Sequence, residues 1–251
     1  LRPEDESRFY PVTYNYYEQL NGYRYLKTLG LGYHFYQGSY LSAIGEVLDV
    51  NRKTLIHIPS VNSRAASGLG KYSEVDEIMK MCGAVGEKDY NTGITEVVTP
   101  EGRVLKFADL VEDSPKERSM LQAYLQRMNR KDEVDIIIAL GTAKEGFDWP
   151  WCEHCLTVGV RGSLTEIVQI IGRCTRDCEG KEHAQFTNLI ASPDAKQEDV
   201  SRSVNDMLKA IVASLLMEQV MAPSWNFRTR KEFEESGESA GVREIIVEGL
   251  K

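Results

Sequence analysis

Apolar residues in the central part of this chain fall into short, dense blocks that polar stretches separate. Residues 54–58, 135–140 and 156–160 are rich in β-branched side chains and are typical of strands buried on both faces of a sheet. Residues 185–190 form a fourth block of the same kind. Because helical segments lie between these blocks, we predict an α/β fold with a mainly parallel sheet.

The helical segments are predicted from their caps and from the spacing of their apolar residues. Three helices begin with recognisable signals: Ser73 with Asp76, Ser163 with Glu166, and Ser114 with Pro115 at the first helical position. The first of these should end at Gly83. Further helices are predicted for residues 41–50 and 200–221, and the second carries an apolar stripe that would cover the sheet as a carboxyl-terminal helix.

Two stretches, residues 94–99 and 103–107, flank a Pro-Glu-Gly turn and predict a β-hairpin, as an insertion or an edge feature. We divide the chain into an aromatic-rich extension or linker (1–45), the α/β domain (46–222) and a peripheral tail (223–251). Nine of the twelve tyrosines lie in the first forty residues. They could stack on bases, but packing against the domain or a partner is favoured, since the segment carries almost balanced charge and few basic residues stand among the aromatic ones.

Composition narrows the classes of function. The net charge of −8 argues against a free-standing nucleic-acid binder, which needs a basic face to neutralise phosphates. No run of eighteen apolar residues is present, so neither a transmembrane helix nor a membrane partner is expected. Five cysteines, an odd number, do not suggest a disulfide framework in a chain of 251 residues, and a reducing, cytoplasmic location is expected.

Four of the cysteines offer an alternative kind of site. Cys152, Cys155, Cys174 and Cys178 form two closely spaced pairs, with His154 nearby, and four thiolates can bind zinc tetrahedrally. However, Cys155 would enter a buried strand, and free cysteine commonly behaves as a small buried apolar residue. We therefore expect buried thiols and no metal site.

Two polar blocks carry the candidate chemistry. Residues 141–148 (Gly-Thr-Ala-Lys-Glu-Gly-Phe-Asp) follow a predicted strand, which places them at the carboxyl end of that strand, where open α/β sheets bind ligands. Residues 169–176 (Gln-Ile-Ile-Gly-Arg-Cys-Thr-Arg) lie at the end of the next predicted helix. Gln169, Arg173 and Arg176 are three or four residues apart and should share one helix face.

The two blocks, G-T-x-x-x-G-x-D and Q-x-x-G-R-x-x-R, resemble motifs V and VI of superfamily 2 helicases and translocases, most closely the DEAD/DEAH-box-like and restriction-enzyme-type members. Residues 54–58 with the polar loop 59–64 resemble motif IV of the same superfamily. The resemblance covers roughly residues 50 to 192. It implies that the chain is the second RecA-like domain, with three layers, of a two-domain ATP-driven motor.

No phosphate-binding loop accompanies these motifs. Such a loop needs G-x-x-x-x-G-K-[ST], and the nearest candidate, residues 68–72, has Tyr72 where the magnesium-binding hydroxyl belongs. The acidic stretch from Asp132 to Asp135 precedes its strand and is interpreted as a solvated turn. The resemblance therefore implies that ATP and Mg²⁺ are held mainly by an amino-terminal RecA-like ATPase domain that is absent from this chain, and that this fragment alone is inactive.

The resemblance also implies roles for individual residues. Arg176 would be the principal arginine finger that reaches the γ-phosphate of ATP, with Arg173 as its companion, and Gln169 would position the nucleotide or couple the domains. Gly146, Gly172 and Asp148 would lie at the nucleotide, where Asp148 binds the ribose or its own loop. A nucleic acid, DNA in first place with RNA left open, would be contacted through its phosphates by Gly141, Thr142, Ser60, Ser63 and Arg64.

Each role has a structural alternative. The glycines could serve turn geometry alone, Asp148 could cap its loop, Ser63 could be a helix cap, and Arg173 could form a surface ion pair with Asp177. His57, inside an apolar block, is interpreted as a core histidine. At the level of the whole chain, the alternative to a motor domain is a non-catalytic RecA-like module that docks proteins through the aromatic segment and the hairpin.

Overall fold

A computed structural model of the chain gives the fold. The structure describes residues 7–13, 25, 26, 28–59, 70–111, 114–140, 147–159, 164–191, 202, 226–229 and 244–247. Most of the helix predicted for residues 200–221 lies outside the described residues, as do the caps proposed at Ser63 and Ser163.

The described residues contain one nine-stranded sheet and a separate two-stranded one. The strands of the large sheet are β1 (Ser7–Thr13), β2 (Thr28–Tyr36), β3 (Thr54–Ile58), β4 (Ala84–Lys88), β5 (Ile94–Val98), β6 (Val104–Asp109), β7 (Ile136–Leu140), β8 (His154–Val158) and β9 (His183–Ala191). Their order is β1-β2-β9-β8-β3-β7-β6-β5-β4. The six strands from β2 to β6 in this order are parallel, and β1, β5 and β4 add antiparallel edges. The predicted mainly parallel α/β sheet is confirmed.

Helices cover both faces of this sheet and so create three layers. They are α1 (Tyr40–Val47), α2 (Lys71–Cys82), α3 (Pro115–Arg127) and α4 (Leu164–Cys174). One hydrophobic cluster joins α1 and α2 to the sheet, and a second joins α3 and α4 to the opposite face. Alternate residues of each central strand enter the two clusters, as Ile137 and Ile138 do in β7. None of the described helices is long and apolar enough to cross a membrane.

The predicted hairpin is present as β5 and β6, and it belongs to the main sheet. β6 pairs with β7 in parallel, and β4 extends the hairpin at the outer edge. β4 gave no signal in the sequence because its residues are almost all exposed and lack an apolar face. Gly83, which ends α2 as predicted, has φ 156°, and an added Cβ would lie 2.1 Å from the Val98 carbonyl oxygen, so only glycine fits there.

Two boundaries differ from the sequence prediction. α2 begins at Lys71, with Gly70 as its cap, so Ser73 lies inside the helix and does not cap it. Residues 28–36, assigned to an extension, form β2 in the interior of the sheet, with Leu29, Leu31 and Tyr33 in the core. In the predicted tail, β10 (Asn226–Thr229) and β11 (Glu244–Val247) form the small parallel sheet.

Candidate functional site

Two neighbouring segments at the amino edge of the sheet carry Asp148, Arg173 and Arg176. The Asp148 segment, residues 147–153, leads into the amino end of β8, and the arginine segment, residues 173–182, leads from α4 into the amino end of β9. β8 and β9 are adjacent parallel strands. The two segments therefore lie side by side, although the motif blocks are separated by about twenty residues of sequence.

A direct contact joins the two motif blocks. Arg176 Nη1 lies 3.0 Å from Asp148 Oδ1, and the side chains of Arg176 and Asp148 are 51% and 63% exposed. The Arg173 guanidinium lies 5.4 Å from the centre of the Phe147 ring, within the range of a cation–π interaction. Both arginines thus meet the Asp148 segment, and Arg176 keeps half of its surface open to solvent.

The arginine segment leaves the helix earlier than predicted. α4 ends at Cys174, so Arg176 does not share a helix face with Gln169 and Arg173. Beyond the helix, the Asp177 carboxylate accepts hydrogen bonds from the backbone amides of Tyr25 and Leu26 at 2.7–3.2 Å. This interaction secures the segment to the residues that precede β2.

The remaining nucleotide candidates lie on α4 or outside the described residues. Gln169 and Gly172 are exposed on the last turns of α4, and a Cβ added to Gly172 would meet no atom within 4 Å. Gly146 lies outside the described residues. The surface around Gly172 is thus open to an approaching group.

All candidate nucleic-acid contacts fall outside the described residues: Gly141, Thr142, Ser60, Ser63 and Arg64. The described residues next to them in the chain, Pro59 and Leu140, follow or end the paired strands β3 and β7 at the carboxyl edge. We predicted that the whole first block lies at the carboxyl edge. This prediction was wrong for Asp148, which lies at the amino edge. The stretch between β7 and β8 is thirteen residues long, enough to cross back along a five-residue strand of about 16 Å.

Three residues of this site gave no signal in the sequence. Phe147 was treated only as a variable position of its motif, and Asp177 was considered only as a partner of Arg173. Lys181, between Gly180 and Glu182, has the composition of a solvated turn, yet it is 1% exposed. Its Nζ donates hydrogen bonds to the carbonyl oxygens of Pro150 at 2.8 Å and Cys152 at 2.9 Å.

The cysteines near this site are free thiols that pack into the core. Cys152, Cys155 and Cys174 are fully buried, and the Sγ atoms of Cys152 and Cys155 are 3.9 Å apart. The Cys155 and Cys174 thiols donate to helix carbonyls of Ile170 and Ile171 at 3.3 Å. Burial raises the pKa of the Cys155 thiol well above its usual value, and metals bind the thiolate. Within the described ranges, no group of three or more His, Cys, Asp or Glu side chains is arranged to hold a metal ion.

A buried ion pair lies further along the amino edge. Lys53 Nζ is 2.7 Å from Asp135 Oδ1, and both side chains are about 90% buried. Asp135 also accepts a hydrogen bond from the Lys106 amide at 2.9 Å. The interpretation of residues 132–135 as a solvated turn holds for Asp132, which is 71% exposed, and was wrong for Asp135. His57, interpreted as a core histidine, is buried in β3.

Comparison with known proteins identifies a relative. The chain is 60% identical over 252 residues to a protein of Bacillus subtilis (strain 168) named "Putative ATP-dependent helicase YeeB". The chain is homologous to part of that protein. The match covers 100% of this chain and 41% of the relative, and it confirms the resemblance to helicases that the two motif blocks predicted. No protein-family model matches the chain.

Three solved structures match the chain at low identity and low TM-score. They are the "ATP-dependent Type ISP restriction-modification enzyme LlaBIII bound to DNA" (13% identity, TM-score 0.40, covering 78% of this chain and 11% of that one), the "DUF1998 helicase MrfA bound to DNA" (12%, 0.44, 86% and 30%) and the "Mss116p DEAD-box helicase domain 2 bound to an RNA duplex" (16%, 0.33, 78% and 85%). These likenesses are too distant to indicate the function of this chain.

Proposed function

We propose that this chain is the second RecA-like motor domain of an ATP-dependent nucleic-acid helicase or translocase. The observation that carries the proposal is the contact between Arg176 and Asp148, which unites the two helicase-like blocks at one solvent-open edge. The homology to a protein named as a helicase supports it. The chain spans 41% of that relative, and the proposal assigns the rest of the motor to a second domain.

In this proposal Arg176 is the principal arginine finger. A guanidinium placed at a phosphoryl group stabilises the charge that develops in the transition state, an effect worth roughly a thousandfold or more in rate. Arg176 pairs with Asp148 and stays half exposed, so that a phosphate can compete for its guanidinium. Arg173 is oriented by the Phe147 ring as the companion finger, and Gln169 on the same helix positions the nucleotide or couples the domains.

ATP and Mg²⁺ are assigned mainly to a second domain with a phosphate-binding loop. The residues present fit a nucleotide from one side only: two arginines and the open surface at Gly172 suit phosphates, whereas no described acidic cluster suits a magnesium ion. Asp148 is the residue of this chain suited to accept hydrogen bonds from a ribose. The nucleic acid, DNA in first place, is assigned to Ser60, Ser63, Arg64, Gly141 and Thr142, which lie outside the described residues.

The substitution Arg176→Ala in the full-length protein tests the proposal. Loss of the finger should lower the kcat of nucleic-acid-stimulated ATP hydrolysis by a factor of roughly a thousand, while nucleic-acid affinity stays within about twofold because other residues are proposed to contact the nucleic-acid phosphates. Steady-state ATPase assays and fluorescence anisotropy with labelled DNA measure the two quantities. Arg130→Ala is the matched control, since Arg130 is also exposed and also pairs with one carboxylate, that of Asp132.

Near-normal turnover in Arg176→Ala would refute the finger. A full-length protein that lacks ATPase activity altogether would favour the non-catalytic docking module. In that outcome the contact between Arg176 and Asp148 is an ordinary surface ion pair.

A further inference from the structure

Lys181 is the most deeply buried charged side chain at the amino edge. It is 1% exposed, and its ammonium group donates to two neutral carbonyl oxygens, those of Pro150 and Cys152. Across the described part of the chain, no carboxylate pairs with it. This differs from the buried Lys53, whose ammonium group pairs with Asp135. Burying a charge without a counter-charge is unfavourable, so the two hydrogen bonds to carbonyl oxygens are what stabilises the ammonium group in this position.

The two carbonyl groups belong to a tight turn in the Asp148 segment. The Cys152 amide donates to the Trp149 carbonyl at 3.1 Å and closes this turn directly after Asp148. Lys181 itself is turned into the core by a second turn, in which its amide donates to the Cys178 carbonyl at 3.2 Å and Gly180 has φ 79°. The ammonium group therefore joins one turn in each of the two segments.

The other contacts between the segments are weaker. The pair of Arg176 with Asp148 is half exposed, and exposed pairs contribute little to holding a geometry. The Cys178 thiol donates to the Pro150 carbonyl at 3.3 Å, which is a weak hydrogen bond. The Arg173 guanidinium also contacts the Phe147 ring, at 5.4 Å. Hydrogen bonds from a charged donor in a buried place are stronger than neutral ones, so Lys181 makes the strongest hydrogen bonds between the segments.

We propose that Lys181 is a positioning residue, which fixes the Asp148 segment against the arginine segment and thereby sets the location of Arg176. This inference rests on the proposed function, because it requires Arg176 to act on a nucleotide. Lys181 contacts no reacting atom. A shift of about 1 Å in a catalytic group can lower a rate as much as a hundredfold, so looser packing of the two turns should be visible in turnover.

The test compares four variants of the full-length protein: Lys181→Met, Lys53→Met, Arg176→Ala, and the double variant Lys181→Met with Arg176→Ala. Lys181→Met should lower the kcat of nucleic-acid-stimulated ATP hydrolysis roughly ten- to a hundredfold, with the KM for ATP nearly unchanged because the other domain holds the nucleotide. Lys53→Met also removes a buried lysine, and its kcat should remain within about twofold. If Lys181 acts through Arg176, the double variant should turn over as Arg176→Ala does.

Several results would overturn the proposal. A normal kcat in folded Lys181→Met would do so, and so would a loss in Lys53→Met equal to that in Lys181→Met, or independent, multiplying losses in the double variant. If Lys181→Met does not fold, Lys181→Gln replaces it; its shorter amide keeps donors for the two carbonyls, and its kcat should fall about three- to tenfold. Folded Lys181→Gln with unchanged kcat would also overturn the inference. Normal turnover in Arg176→Ala would instead refute the proposed function itself.

Discussion

At the scale of single residues, burial decides how a polar side chain behaves in this protein. His154 begins β8 and is 2% exposed, with Nε2 2.9 Å from the Thr187 hydroxyl oxygen. Burial, assisted by the nearby Arg52 charge, lowers the pKa of His154 to about 3. The imidazole is therefore neutral in the folded chain at any pH near neutrality, and protonating it favours the unfolded state.

The stability of the chain should consequently depend on pH through His154. Above pH 6.5, the ordinary pKa of an exposed histidine, His154 is neutral in both the folded and the unfolded chain and costs no stability. As the pH falls from about 6.5 towards 3, the unfolded chain binds a proton that the folded chain does not, and the free energy of unfolding decreases. Between pH 7 and pH 5 the native chain should lose roughly 2 kcal/mol more unfolding free energy than His154→Gln. Urea unfolding of both proteins at several pH values measures the difference. Parallel stability curves would contradict the assigned burial effect.

The residues proposed to perform chemistry stand in motif blocks that the sequence shows, whereas the residues that hold them in place gave no signal there. Arg176 and Asp148 belong to motif blocks whose residue types and spacing carry information. The burial of Lys181 depends on two turns that meet only in the folded chain. Asp135 likewise lies in a charged stretch of sequence, which suggests a solvent-exposed side chain. Its burial depends on the ion pair with Lys53, which directly precedes β3 and is far from Asp135 in the sequence.

At the scale of elements, α4 connects the two edges of the sheet and presents its last turns at the site. Its apolar residues Ile167, Ile170 and Ile171 pack on the sheet, while Gln169 and Gly172 face outward. Glycine lowers the stability of an exposed helix by about 1 kcal/mol relative to alanine. The open surroundings of Gly172 give no packing reason for this glycine.

Gly172→Ala should therefore separate stability from function. The substitution should raise the melting temperature of the chain by about 2–4 °C, yet lower the kcat/KM for ATP of the full-length protein roughly tenfold, because a methyl group would obstruct the nucleotide beside Arg173. Calorimetry and steady-state ATPase assays measure the two effects. Gly45→Ala in α1 is the control, since its Cβ would meet only the flexible end of Met81 and should leave turnover unchanged.

A stabilised Gly172→Ala variant with full ATPase activity would show that the nucleotide does not approach this surface.

The strands show why the pattern of apolar and polar residues predicts only part of the fold. β3 was predicted to the residue because it is buried on both faces. β4 was missed because it is an exposed edge strand, whose pairing depends on its neighbour β5.

At the scale of the whole molecule, Arg176 and Asp148 lie at the amino edge of the sheet, whereas β3 and β7, the strands that precede the candidate nucleic-acid residues in the chain, end at the carboxyl edge. The described strand β7 separates the edges by about 16 Å. Helix α4 runs between the two edges and carries Gln169, which is proposed to position the nucleotide or couple the domains. In the proposed motor, this helix would transmit a movement of the amino edge on ATP hydrolysis to the carboxyl edge.

The net charge of −8 limits the ways in which the candidate nucleic-acid residues can bind phosphates. The proposed contacts are mostly hydroxyls and backbone amides, which displace no counterions from phosphates, and Arg64 is the single cation among them. In the full-length protein, Arg64→Ala should make the slope of log affinity against log salt shallower by about 0.7 to 0.9. Thr142→Ala should weaken binding about two- to tenfold through one lost hydrogen bond, without changing the slope.

Anisotropy titrations with labelled DNA at several salt concentrations distinguish these two behaviours. Arg130→Ala removes an exposed arginine that precedes β7, at the amino edge, and should change neither affinity nor slope. An unchanged slope in Arg64→Ala would remove the motif IV loop from the nucleic-acid path. A shallower slope in Arg130→Ala would place the phosphates at the amino edge, where the two arginines would then serve nucleic acid and not ATP.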